Sequence, residues 1–208
     1  MSALLQLMIC SPSGAGKTTL TRHLLATFEG LAFSVSHTTR SPRGSEQDGR
    51  DYHFVERSRF EELVAANQFA EWAEVHGNLY GTALSEIDRA KRDGKMGIIF
   101  DIDVQGARQI RANVSDAVGL FVLPPSMEEL RRRLIGRGTD ASEVIARRLA
   151  KAREEISHYA FFDYLLVNDD LERSRAIIEG IVRAELARRP RTARHAESLL
   201  RTTARPSA

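Results

Sequence analysis

The sequence has a single cysteine, no apolar stretch of membrane-spanning length and no internal repeat. With only Cys10, the chain forms no internal disulfide and no metal site built from several thiolates. That usage suits a reducing cytoplasm, where the chain is expected to work. Cys10 itself ends an apolar segment and reads as a small buried strand residue. The longest apolar runs, 96–100 and 119–123, fall far short of the roughly 18–20 residues that cross a bilayer, so no membrane partner is expected. The first ten residues lack a basic segment, and Gln6 interrupts their apolar stretch. Residues 4–10 therefore read as a β-strand rather than a signal peptide. His37, His53 and His76 stand without metal-ligand spacing and are given no catalytic part.

What is present suits a soluble globular enzyme: 208 residues, 42% hydrophobic and 28% charged, enough for one α/β domain with small inserted lobes. The net charge of +2 hides an asymmetry. Residues 188–208 hold six arginines against one glutamate, a surplus of +5, which leaves 1–187 at −3. The segment 188–208 is expected to be a basic, flexible, solvated tail, and nucleic acid is not expected as a partner.

Along the chain, short apolar segments alternate with amphipathic ones. Strands are expected at 4–10, 32–35, 69–75, 96–102, 118–123 and 164–167, with 51–55 extended. Helices are expected at 18–27, 85–94, 142–158 and 171–187. Two more open on S-x-x-E boxes, Ser58 with Glu61 for a helix to 67 and Ser126 with Glu129 for one to about 135. Gly94 is a natural helix stop, and Trp72 reads as core. Strands alternating with helices imply an α/β fold with a mostly parallel sheet flanked by helices. Residues 36–83 have shorter extended pieces and one helix, and read as an inserted lobe.

Ser11-Pro-Ser-Gly-Ala-Gly-Lys-Thr18 follows the first strand and leads into a helix, the setting of a phosphate-binding loop. Gly14 and Gly16 let backbone N–H groups turn inward around phosphate oxygens, and the helix N-terminus adds a favourable dipole. Ser13, Gly14, Ala15, Gly16, Lys17, Thr18 and Thr19 are the expected ATP-binding residues. Lys17 would reach the transferring phosphate and the Thr18 hydroxyl would ligate Mg²⁺. The motif departs from G-x-x-x-x-G-K-[ST] at Ser11, which fits if its φ stays negative. Asp101, ending the apolar strand, is the second expected metal residue.

The stretch Ser36-His-Thr-Thr-Arg40-Ser-Pro-Arg43, then Glu46, Gly49, Asp51-Tyr52 and Glu71-Trp72-Ala73, resembles the guanylate kinases. Gly77-Asn-Leu-Tyr80-Gly81, Asp101-Ile-Asp103-Val-Gln-Gly106, Pro124-Pro125-Ser126, Gly136-Arg137-Gly138-Thr139 and Val167-Asn168-Asp169 continue the resemblance in order over about residues 4–187. It implies a P-loop kinase with core 1–35 and 84–187, an inserted GMP-binding lobe about 36–83 and a helical lid about 136–148. The implied reaction is phosphorylation of GMP to GDP by ATP and magnesium. Arg40 and Arg43 would clamp the GMP phosphate with Glu46, Tyr52 and Tyr80. Glu71 and Asp103 would read the base, assisted by Ser36 and Thr82. Guanine offers N1–H and the N2 amine as adjacent donors, whereas adenine would leave a buried carboxylate unmatched. Arg133, Arg137 and Arg148 would surround the transferring phosphoryl group alongside Lys17, and Asn168 would contact the adenine of ATP. Alternatives are a related ribosyl-phosphate kinase or a catalytically silent guanylate-kinase-like binding module. The retained Glu71/Asp103 pair argues against the first, and the intact Gly16-Lys17-Thr18 against the second. The sequence assigns no oligomeric state.

Overall fold

A computed structural model describes residues 3–136 and 141–202. Five strands make a parallel sheet: β1 (Leu5–Cys10), β2 (Leu31–Phe33), β7 (Gly97–Asp101), β8 (Ala117–Leu123) and β9 (Tyr164–Val167), in the order β2-β7-β1-β8-β9. Both faces are buried, as a parallel sheet requires. Met8, Ile98, Phe100 and Phe121 point to one side, where α3 (Leu84–Arg92) brings Ile87 and Ala90 and α4 (Val104–Asn113) brings Ala107 and Ile110. Leu7, Ile9, Ile99 and Leu120 point to the other, under α1 (Lys17–Thr27) and α7 (Leu171–Leu186).

A second sheet has the order β4-β3-β6-β5, from β3 (His37–Thr38), β4 (His53–Phe54), β5 (Phe69–Val75) and β6 (Asn78–Ala83). Its own small core of Phe60, Phe69, Leu79 and Ala83 is closed by α2 (Arg57–Ala65). Local chemistry sets the turns. Asn67 takes φ +53 after α2, with the Gln68 and Asn67 amides donating to the carbonyls of Leu63 and Val64, a Schellman stop that ends the helix two residues before the expected 67. Gly94 ends α3 the same way, as expected. His76 and Gly77 both have positive φ and turn β5 into β6 by a two-residue hairpin.

Three expectations need correction. Ser58 does not cap α2: the helix starts at Arg57 with Glu56 at its N-cap, and no side chain caps it. Trp72 is not core, being 39% exposed on the edge strand β5. The segment after 187 is not wholly a loose tail, since Arg189–Thr202 form α8. That helix is tied down by Arg191, whose buried guanidinium reaches the Glu185 carboxylate at 3.0 Å and its carbonyl at 2.8 Å. At Ser126 the box is half formed: the hydroxyl accepts from the Glu129 amide and starts α5 (Met127–Ile135). α5 packs on α6 (Ser142–Ser157) through Leu130, Leu134 and Ala152. No helix among the described residues is long and apolar enough to cross a membrane.

Candidate active site

β1 and β7 run side by side with Ile9 opposite Asp101, so the loop after Cys10 and the end of β7 emerge at one edge of the sheet. That is the carboxyl edge, where open α/β sheets place their ligands. The loop turns on Gly14 (φ +95) and Gly16 (φ +104), and Gly16 is the N-cap of α1. A side chain at either position would be strained and obstructed, Gly14 by Leu130 and Leu134 of α5 and Gly16 by the Asn168 amide. Among the described non-glycine residues only Asn67 and His76 have positive φ, so Ser11 meets the condition its place in the motif set.

Lys17 lines a cleft of about 330 Å³ together with Ser13, Gly14, Gly16, Thr18, Asp103 and Glu155. Its ammonium pairs with Asp101 at 2.5 Å and donates to the Ile102 carbonyl at 3.1 Å. Thr18 and Thr19 are exposed, and Ala15 is buried. Asn168 is only 7% exposed: its side-chain amide donates to the Ala15 carbonyl at 2.7 Å, and its backbone carbonyl accepts from Arg133 at 3.0 Å. Asn168 therefore lies against the loop backbone, and Arg133 on α5 is held beside it. Arg148 is half-buried on α6, and Arg137 lies outside the described residues.

Across the same edge, Glu71 on β5 is 8% exposed. Burial pushes its carboxyl up to about 7, against a hydrogen bond from Thr82, and the Asp103 charge adds to the rise. The carboxylate sits against the first turn of α4, where a Cβ on Gly106 would come within 3.1 Å of its Oε2. Asp103 is the N-cap of α4, accepting from the Gly106 amide at 2.8 Å. Ser36 and Thr82 hydroxyls are 3.3 Å apart next to Glu71. The two expected base-reading carboxylates, placed on different elements, do converge.

Arg40 is gripped by Glu46 through two hydrogen bonds of 2.9 and 3.0 Å and lies over the Tyr52 ring at 5.4 Å. Glu46 holds the Arg40 guanidinium above its ordinary range, and Arg40 and the Arg43 amide in turn hold Glu46 below the usual carboxylate range. Tyr52 and Tyr80 rings meet edge to face at 6.1 Å, and burial raises the Tyr52 hydroxyl, with the Asp101 charge also felt there. The Arg43 side chain is exposed, and only its backbone N–H, 2.7 Å from Glu46, joins the cluster. Residues about 136–148, expected as lid, contain the start of α6 and a segment outside the described residues.

Sequence reasoning missed two carboxylates here. Glu129 anchors Arg133 at 2.9 Å and Arg132 at 2.7 Å, which lowers it to about 2. Its i+3 and i+4 spacing to arginine was the available signal. Glu155 lines the P-loop cleft from α6, raised by burial, and had no sequence signal at all.

A family model described as guanylate kinase matches residues 5–185. The chain is 50% identical over 190 residues to the guanylate kinase of Dechloromonas aromatica, covering 91% of this chain and 94% of that one. It is 55% identical over 168 residues to that of Nitratidesulfovibrio vulgaris, covering 81% of each. Its fold matches the crystal structure of guanylate kinase from Anaplasma phagocytophilum with a TM-score of 0.71 at 37% identity, over 91% of this chain and 90% of that one.

Proposed function

Because this chain belongs to the guanylate kinase family, we propose that it transfers the γ-phosphoryl group of ATP to GMP, giving ADP and GDP. The observation that carries the acceptor is the buried Glu71 carboxylate facing the Asp103 N-cap at the end of the P-loop cleft. Two acidic acceptors, Glu71 buried and Asp103 exposed at the cleft, suit the adjacent N1–H and N2–H donors of guanine. Adenine, with an unprotonated N1 there, leaves a buried charge without a partner.

On the donor side, the Gly14–Gly16 backbone and the start of α1 cradle the phosphates. Lys17 exchanges its Asp101 partner for phosphate oxygens as ATP enters. Asn168, by holding the Ala15 carbonyl, keeps that backbone in its phosphate-ready turn, a support for ATP binding that does not require it to touch adenine. On the acceptor side, Glu46 pre-orients the Arg40 fork, and Arg40, Arg43, Tyr52 and Tyr80 fix the GMP phosphate. With a second phosphate pKa of about 6, the attacking oxygen is ionised at neutral pH, and no general base is required. Catalysis is positioning plus charge stabilisation by Lys17, Arg133, Arg137 and Arg148.

Among the described residues no group of three or more His, Cys, Asp or Glu could hold a metal unaided. The Thr18 hydroxyl at the cleft and the Asp101 carboxylate at the end of β7 fit instead a cation that arrives with ATP. Mg²⁺ held there would neutralise charge on the phosphate oxygens. The enzyme's place is the cytoplasm, a reading supported by its sparing use of cysteine, a single Cys10 left free and buried.

The test is ADP release from MgATP with and without GMP, with ³¹P NMR of the product. GMP-dependent formation of GDP is expected. ADP release that ignores GMP, or no release from folded protein, would overturn the assignment.

A further inference from the structure

Glu71 comes to Asp103 from a different sheet, and something must hold it there. β5 is the edge strand of the second sheet, so its outer backbone groups have no strand to pair with. Its ladder with β6 is broken between Phe69 and Glu71, where Phe69 faces Ala83 but Glu71 faces Thr82, which leaves Ala70 as an extra, bulged residue. A bulge of this kind re-aims the next side chain. Here Phe69, Ala70 and Glu71 are all buried, against the alternation of a regular strand.

Two side-chain amides of α4 take up that irregular edge. Gln109 accepts from the Trp72 amide at 3.1 Å and donates to the Trp72 carbonyl at 2.9 Å, pairing with the strand as another strand would. Asn113, one turn further on, donates to the Ala70 carbonyl at 2.9 Å. These contacts bracket Glu71 on both sides. They come from the same helix whose N-cap is Asp103 and whose Gly106 leaves room for the Glu71 carboxylate.

We propose that Gln109 and Asn113 are positioning residues for acceptor specificity, holding the bulged edge of β5 so that Glu71 meets Asp103 across the first turn of α4. This rests on the reading of Glu71 and Asp103 as the guanine acceptors. One helix thus carries one base-reading carboxylate and clamps the other, and neither Gln109 nor Asn113 touches substrate.

The test uses the full chain with Gln109→Met, Asn113→Leu and Gln109→Glu. In Gln109→Met and Asn113→Leu the KM for GMP should rise about tenfold, with the KM for MgATP and kcat at saturating GMP within about twofold of the parent. Equal rises in both KM values, or an unchanged KM for GMP, would overturn the proposal. Gln109→Glu adds a readout that a merely structural role would not move. The carboxyl group it introduces both donates and accepts when protonated, whereas its ionised form repels the Trp72 carbonyl. With an ordinary glutamate pKa of about 4.3, the GMP KM of this variant relative to the parent at the same pH should therefore be raised several-fold from about pH 6 to 8 and fall toward one only as the pH drops through that pKa, and a ratio that stays flat down to about pH 4 overturns the clamp. Exchange of the Trp72 amide, read without substrate, should quicken in Gln109→Met, and unchanged protection there would also overturn it. If Glu71→Gln kept its preference for GMP, the underlying guanine reading would fall. That outcome is separable from failure of the clamp, because Trp72 exchange does not depend on it.

Discussion

Around Gly16 the phosphate cradle is backbone: a strand end, two glycines at positive φ and a helix N-terminus, contiguous in sequence and braced by the Asn168 amide on the Ala15 carbonyl. Around Glu71 the cluster is side chains from β5, β6, the residue before β3 and the start of α4, brought together by a strand bulge and a helix cap. The donor site recognises what all nucleoside triphosphates share and can be built locally. The acceptor site must tell one base from another, which takes buried charge, and buried charge needs tertiary support.

That contrast is sharpest at Lys17. Its partners in the structure are Asp101 and the Ile102 carbonyl at the end of β7, outside the packing of the sheet faces, so Lys17→Ala should leave the fold intact by circular dichroism while kcat falls by about 10³-fold or more. Turnover near normal would break the donor half of the comparison.

Next in size is Glu71→Gln, expected to lower kcat/KM for GMP about 10²-fold with little change for MgATP. It should also change stability with a defined sign. The folded carboxyl, raised to about 7, keeps its proton in a range where the unfolded one, near its ordinary value, has lost it. The stability this group contributes is therefore greatest below the ordinary carboxyl range and falls as pH rises to about 7. Glu71→Gln should nearly match the parent at pH 4.5 and exceed it by about 3 kcal/mol at pH 8, read by thermal unfolding. A variant less stable than the parent at pH 8 would show that Glu71 is held for structure.

How much of this could be read in advance follows the same divide. The P-loop was legible because one contiguous motif between a strand and a helix states its own geometry. The parallel core was legible because apolar runs such as 118–122 bury both faces. Glu71 and Asp103 were reachable only through family resemblance, since no spacing rule links a β5 bulge to an α4 cap. β6 and α4 gave no local signal that was taken: β6 is punctuated by Gly81, and α4 carries polar Gln109 and Asn113, whose task is to meet β5. Helix α8 was hidden by its arginines, because what anchors it is the tertiary pair Arg191–Glu185.

Smaller effects separate charge from shape in the phosphate clamp. Arg40→Lys keeps the charge but loses the two-point grip of Glu46, so the KM for GMP should rise about tenfold and that for MgATP should not move. Equal shifts in both would place Arg40 in the general fold of the cleft.

Smallest for activity is Arg191→Ala, which touches neither region. Glu185 keeps Tyr164 at 2.7 Å but loses its buried cation, so about 2 kcal/mol of stability should be lost with GMP turnover unchanged at about 25 °C. Lost turnover in the folded variant would extend the functional unit to α8.

The most direct test of the account is kcat/KM for GMP, AMP, CMP and UMP at saturating MgATP, in the parent and in Glu71→Gln. Strong turnover is expected with GMP alone, with a collapse of that preference, not of ATP binding, in the variant. Comparable turnover with AMP in the parent, or an undiminished GMP preference without the Glu71 carboxylate, would contradict it.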